Sequence, residues 1–166
     1  KLEVNASYII NLLVRAAEEG NISAQRELAI IGYKNPYVYI NISVDSKEAF
    51  KWAKEAAENG DTDSQYLFAL MHKEGYCTKV NIPEAEKWFF HAAKSGHTEA
   101  QKNLASILLC KSDTKSHLEA IQWLIMAAEK DDKEALNKLG EIYAAGRIIG
   151  RDYPTAICWL EKAGEY

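Results

Sequence analysis

The sequence predicts an all-α solenoid of stacked helix-turn-helix units, and three observations predict it. First, one stretch recurs: DSKEAFKWAKEAAENG at Asp45–Gly60 returns at Ile82–Gly96, Ser116–Asp131 and Asp152–Glu165. Its tryptophans, Trp52, Trp88, Trp123 and Trp159, stand 36, 35 and 36 residues apart, a period typical of stacked supersecondary units. Second, a different helical pattern alternates with it. Third, Ser, Thr, Asp and Asn stand at the starts of both patterns, where helix caps belong.

The Trp-bearing stretches are termed B helices. Each reads Ala, two residues, Trp and then a small pair: Ala56-Ala57, Ala92-Ala93, Ala127-Ala128 and Ala163-Gly164. Small pairs let helices approach closely, and the tryptophans are expected to fill one core layer each. The alternating stretches, termed A helices, begin at Ala24, Ser64, Ala100 and Ala135. Four residues on they carry Leu28, Phe68, Leu104 and Leu139; seven on they carry Ile31, Met71, Ile107 and Ile142. That spacing makes one apolar face of a 3.6-residue helix.

An apolar helix over 6–19, ended by Gly20, precedes the first A helix and aligns with the B pattern, with Leu12 in the place of Trp52. The expected organisation is a single domain over 1–166. It consists of the leading helix 6–19 and repeats at about 22–60, 61–96, 97–131 and 132–166. Capping boxes are expected where Thr62 faces Gln65, Thr98 Gln101, Asp131 Glu134, Asp45 Glu48, Asn81 Glu84 and Ser116 Glu119. Pro83 and Pro154 suit first turns. One connection differs from the rest: Lys34–Val44, KNPYVYINISV, is a long insertion rich in tyrosine and β-branched residues.

These residues, repeated in register, resemble the Sel-1-like repeats, relatives of the tetratricopeptide repeats. The last copy carries the resemblance best, with Ala135, Leu139, Gly140, Tyr143, Gly146, Asp152, Ala156, Trp159, Lys162 and Ala163 on motif positions. The second adds Gly75, Ala85, Trp88, Ala92, Ala93 and Gly96; the third adds Leu104, Ala120, Trp123, Ala127 and Ala128. The resemblance implies a right-handed α/α solenoid whose A helices line a concave side. It also implies a protein-interaction adaptor, with bacterial members acting in host interaction, virulence, envelope and signalling roles. Two alternatives come with it. One is an immunity-type protein that neutralises a toxin. The other is a β-lactam-binding or weakly hydrolysing protein like the cysteine-rich members, against which the absence of paired cysteines counts.

Composition and chemistry narrow the function further. The 166 residues are 48% hydrophobic and 27% charged, with a formal net charge of −4. A mildly acidic chain with interspersed signs does not suit nucleic acid, which requires clustered Lys and Arg. No apolar run approaches the ~20 residues of a membrane span. Cys77, Cys110 and Cys158 are odd in number and far apart, so they are read as small buried or loop residues in a reducing compartment. A chain opening on Lys1 leaves an exported protein with its leader removed open. His72, His91, His97 and His117 have no metal-ligand spacing, and no phosphate loop or nucleophile elbow appears. No enzyme, cofactor or metal is expected.

The expected site is therefore a surface on the A helices. The positions left free of the core hold Arg26, Glu27, Ile30 and Tyr33, then Tyr66, Leu67, Leu70 and Lys73. Farther on they hold Lys102, Asn103, Ser106 and Leu109, then Asn137, Lys138, Glu141 and Ala144. The first half is apolar and aromatic, and it adjoins Tyr37 and Tyr39 of the long loop. Ile30, Tyr33, Tyr37, Tyr39, Tyr66, Leu67 and Leu70 are the expected binding residues for a protein or peptide partner. The apolar excess of the leading helix, Ile9, Ile10, Leu12, Leu13 and Val14, points to self-association there.

Overall fold

Each segment with a 3.6-residue apolar period is a helix in the computed structural model, which describes residues 2–34 and 44–164. Among the described residues there are nine helices and no strand: α1 (Leu2–Glu18), α2 (Ile22–Lys34), α3 (Ser46–Glu58), α4 (Thr62–Glu74), α5 (Ile82–Lys94), α6 (Thr98–Leu109), α7 (Thr114–Ala128), α8 (Lys133–Ala145) and α9 (Tyr153–Ala163). The leading helix thus starts four residues before the expected Ala6. Even-numbered helices are the A helices and odd-numbered ones the B helices. The chain forms two compact units, Lys1–Ala92 and Ala93–Tyr166.

The caps follow from local chemistry, at positions shifted from those expected. Asp45 and Asn81 accept amide hydrogens of Lys47 and Glu84, as their positions suggest. Three A helices, however, are capped one residue away from the expected position: Asp61 and His97, one residue earlier, accept from the amides of Ser64 and Ala100, and Asp132, one residue later, accepts from that of Ala135. Asp113, not Ser116, caps α7. The glutamines assigned to capping boxes, Gln65 and Gln101, have another task, which Gln25 shares. Gln25, Gln65 and Gln101 donate through Nε2 to the carbonyls of Ala17, Ala57 and Ala93, at 3.1, 3.3 and 3.1 Å. Those carbonyls lie in the last turn of the preceding B helices, and each also accepts the amide of the glycine that ends the helix, Gly20, Gly60 or Gly96. In each of the first three repeats one buried amide therefore ties an A helix to the B helix before it. In the last repeat buried Leu136 takes the place of the glutamine.

The first unit's core is built from Leu28, Ala29, Ile31, Ala49, Trp52, Ala53, Phe68 and Met71. Ile10, Leu13 and Val14 of α1 pack against this core, while Tyr8, Ile9 and Leu12 are exposed. In the second unit Leu104, Leu108, Ile121, Leu124, Leu136 and Leu139 are buried.

The tryptophans depart from the expected core layer. Only Trp52 is buried; Trp88, Trp123 and Trp159 are half-buried. The indole N–H groups of Trp88 and Trp123 donate to Glu84 and Glu119 one turn back. Lys51 and Lys87 lie over the rings of Trp52 and Trp88. An amphipathic ring with a polar edge covers the core rim, while Ala49, Ala85, Ala120 and Ala156, three residues earlier, are buried.

Lys102 corrects another expectation. It occupies a position read as solvent-facing, yet it is only 8% exposed. Its Nζ reaches Glu99 and Glu134 at 2.7 Å and the α8 cap Asp132 at 3.1 Å. Burial opposes its charge, but the hydrogen bonds to Glu134, Glu99 and Asp132 outweigh that and hold its pKa well above the ordinary lysine range. Arg26 makes the matching contact in the first unit, 2.8 Å to the α4 cap Asp61 and 3.6 Å to Asp63. The cation thus links one A helix to the N-terminus of the next. Lys102→Ala is expected to cost about 2 kcal/mol, below the full cost of breaking a buried pair because Glu99 and Glu134 are exposed. Urea unfolding checks this, and a loss under about 0.5 kcal/mol would return Lys102 to the ordinary surface.

Candidate functional site

Four of the expected binding residues share the A-helix face of the first unit. Ile30 and Tyr33 of α2 and Tyr66 and Leu70 of α4 are each half-buried, so part of every apolar side chain faces outward. Ile30 and Tyr33 rest on the core beneath them. The Tyr66 ring lies 5.9 Å from that of Phe89 on α5. Leu67 does not belong to this face: it is 6% exposed and packs in the core. The reason is the arc that α4 buries. Ser64, Gln65, Leu67, Phe68, Ala69 and Met71 are all buried, because a helix with neighbours on both sides hides more than one stripe. Tyr37 and Tyr39 lie outside the described residues.

Tyr33 anchors one end of the face. Its hydroxyl donates to Glu74 Oε2 at 2.6 Å, and its ring meets Tyr76 edge-on at 5.2 Å. Burial, then the bond to Glu74, pushes its pKa well above the ordinary tyrosine range, so the phenol stays a donor. Tyr76 in turn donates to the Gly32 carbonyl at 2.7 Å. The helix end explains how Tyr76 arrives there. Gly75 takes a left-handed φ of 75° as the α4 C-cap, and the Tyr76 amide bonds back to the Met71 carbonyl. This six-to-one closure commonly folds the following apolar side chain onto its own helix. Sequence reasoning missed Glu74 and Tyr76; the Gly-Tyr pair at a helix end was the available signal.

Beneath the face, His72 sits edge-on to Phe50 and Phe68, with ring centres 5.5 and 4.6 Å away. Burial lowers its pKa, with the charge of Glu84 acting the other way. The imidazole packs among aromatic rings at the α3–α4 seam. Among the described residues no His, Cys, Asp and Glu cluster could hold a metal ion. No helix there is long and apolar enough to cross a membrane. Cys77, Cys110 and Cys158 are free and exposed, not buried in the core.

The second unit differs at the equivalent positions. Between α6 and α8 a cavity of about 160 Å³ is lined by Lys102, Ser106, Leu109, Leu124, Glu134, Ala135 and Lys138. Its polar wall is the ion-paired cluster already described.

Known proteins share this architecture. The chain is similar to a crystal structure of c5321, a protective antigen of uropathogenic Escherichia coli with an SLR fold: TM-score 0.82, 29% identity, 94% of this chain and 33% of that one. A Sel1 repeat protein from Oxalobacter formigenes superposes with a TM-score of 0.81 at 29% identity, covering 94% of this chain and 63% of its own. An uncharacterized protein of Neisseria meningitidis serogroup B is 26% identical over 93% of this chain and 38% of its own length. The chain therefore spans about a third to two-thirds of these relatives. The Sel1 repeat itself matches at residues 22–61, 62–97, 98–132 and 133–165. Four repeats over most of the chain, carried by an all-α solenoid fold, place this protein in the Sel1 repeat family.

Proposed function

We propose that this protein is a non-enzymatic bacterial scaffold that binds a protein or peptide on the A-helix face of its first unit. Sel1 repeat proteins generally mediate protein–protein interaction, and the repeat is typically a non-catalytic scaffold. The observation that carries the finer reading is the set Ile30, Tyr33, Tyr66 and Leu70. All four are aliphatic or aromatic and only half-buried on neighbouring A helices, with Ile30 and Tyr33 packed on the core beneath. In the second unit the corresponding residues include Lys102 and Ser106, with the lysine already held by three carboxylates. Tyrosine offers a large contact area with little entropy lost on ordering, which suits an interaction surface. On this reading the four repeats form one scaffold with a single docking face. The likeness to a protective antigen supports a role in host interaction.

Partners captured by the wild-type protein provide the test. Tyr66→Ala combined with Leu70→Ala is expected to weaken binding by about 2 kcal/mol or more while the helical signal persists. Asn137→Ala with Lys138→Ala, on the second unit, is expected to change it far less. Calorimetric titration of the captured partner reads both. Equal affinity for the two double variants and the wild type would move the site elsewhere.

A further inference from the structure

The face proposed above ends in a carboxylate set among tyrosines, and that end has a chemistry of its own. Glu74 is the last residue of α4 and is exposed. Its Oε2 is held by the Tyr33 hydroxyl at 2.6 Å, so among the described residues its bond is to a phenol and not to a cation. The Tyr33 ring is braced edge-on by Tyr76, whose own hydroxyl is taken by the Gly32 carbonyl. Tyr33 and Glu74 are therefore positioned before any partner arrives. The location also matters. A helix C-terminus carries the negative end of the backbone dipole, and a carboxylate there is unfavourable for the helix alone. A cation arriving at this point would meet the carboxylate, the dipole and the tyrosine faces together.

The rest of the face sets what must stand beside that cation. Leu70 lies one turn before Glu74 on α4, and Ile30 lies nearly one turn before Tyr33 on α2. One helical turn is about 5.4 Å. Four residues of helix, as from Leu70 to Glu74, rise about 6 Å, and alternate side chains on one side of an extended peptide stand about 6.6 Å apart, so the two spacings are close. Farther along, Arg26 is neutralised by Asp61 and Asp63 and does not repel a basic partner.

We propose that the partner is an extended peptide segment with a lysine or arginine two residues from an apolar residue, the cation docking on Glu74 and the Tyr33 ring and the apolar side chain on Ile30 and Leu70. This rests on the reading of the face as the interaction site.

A phage-displayed library of random peptides, selected on the 166-residue chain, tests it. Selection is expected to enrich sequences with a basic residue two positions from an apolar one. The enriched peptide, titrated by calorimetry, should bind Glu74→Lys about tenfold more weakly, with Glu74→Gln intermediate. Tyr33→Phe, which keeps the ring but frees the carboxylate, should weaken it by about threefold. Binding should also weaken with added salt in the wild type, and less so in Glu74→Gln. Thermal melts show whether each variant is folded. Enriched peptides with no basic preference that bind Glu74→Lys normally, yet lose binding to Tyr66→Ala with Leu70→Ala, would overturn the cation site and leave the face standing. Peptides indifferent to all these variants, or no enrichment at all, would overturn both.

Discussion

Phe89→Ala is expected to cost about 3–5 kcal/mol, more than the truncation of its neighbour Trp88. Phe89 has no exposed surface and is among the largest fully buried side chains of the protein. Its ring contacts Tyr66 of α4 from α5, so the cavity would open inside the α4–α5 packing of the first unit. Trp88 carries the repeat signature but stands at the rim. Its indole nitrogen is satisfied by Glu84 at 2.9 Å, and its ring covers Phe68 edge-on at 5.4 Å. Removing it uncovers part of Phe68 and admits water from one side, which costs less than an internal void; about 1–3 kcal/mol is expected. The same order recurs in the third repeat, where Leu124 is buried and Trp123 is half-buried. The residue after each tryptophan is Ala53, Phe89, Leu124 or Leu160, and the first three are buried. Urea midpoints of the two variants decide the matter: a larger loss for Trp88→Ala would restore tryptophan as the core residue.

Gly32→Val should be nearly as damaging, at about 3 kcal/mol, the upper end for overpacking. Gly32 lies inside α2, where glycine on its own lowers helix stability by about 1 kcal/mol against alanine. Its retention reflects packing. A Cβ built at Gly32 would come within 2.3 Å of the Ala49 Cβ on α3 and 3.4 Å of the Val44 Cβ. The nearest obstacle is the first atom of an alanine side chain, so no rotamer change can relieve the clash. The helices themselves must separate, and the gain in helix propensity is too small to offset that. Gly32 also offers its carbonyl to Tyr76, so displacement of α2 would disturb the Tyr33–Glu74 end of the proposed docking face. Gly150, with open space around its Cβ position, is the control, and Gly150→Ala should change stability by less than about 0.5 kcal/mol. Thermal denaturation would show a similar loss for both if crowding against Ala49 were unimportant.

The number, type and order of the helices were legible in the sequence because each signal is local and written four times. Apolar spacing assigns helix, and the alternation of two patterns at a fixed period requires hairpins that stack. Ile30, Tyr33, Tyr66 and Leu70 could be placed on one side of their helices for the same reason. How wide an arc each helix buries is a different matter, since it depends on neighbours that periodicity does not reveal. Leu67 is therefore core although it follows Tyr66 directly. Lys102 is enclosed because two of its three carboxylates, Asp132 and Glu134, come from the next A helix. Gln65 and Gln101 fit a cap by spacing, yet only the packed B helix supplies the carbonyls that they and Gln25 bind. The Tyr33–Glu74 bond joins residues 41 apart, and Tyr76 reaches Gly32 across 44. Helical periodicity relates residues three and four apart, so only the stacking of α4 beside α2 could bring these groups together.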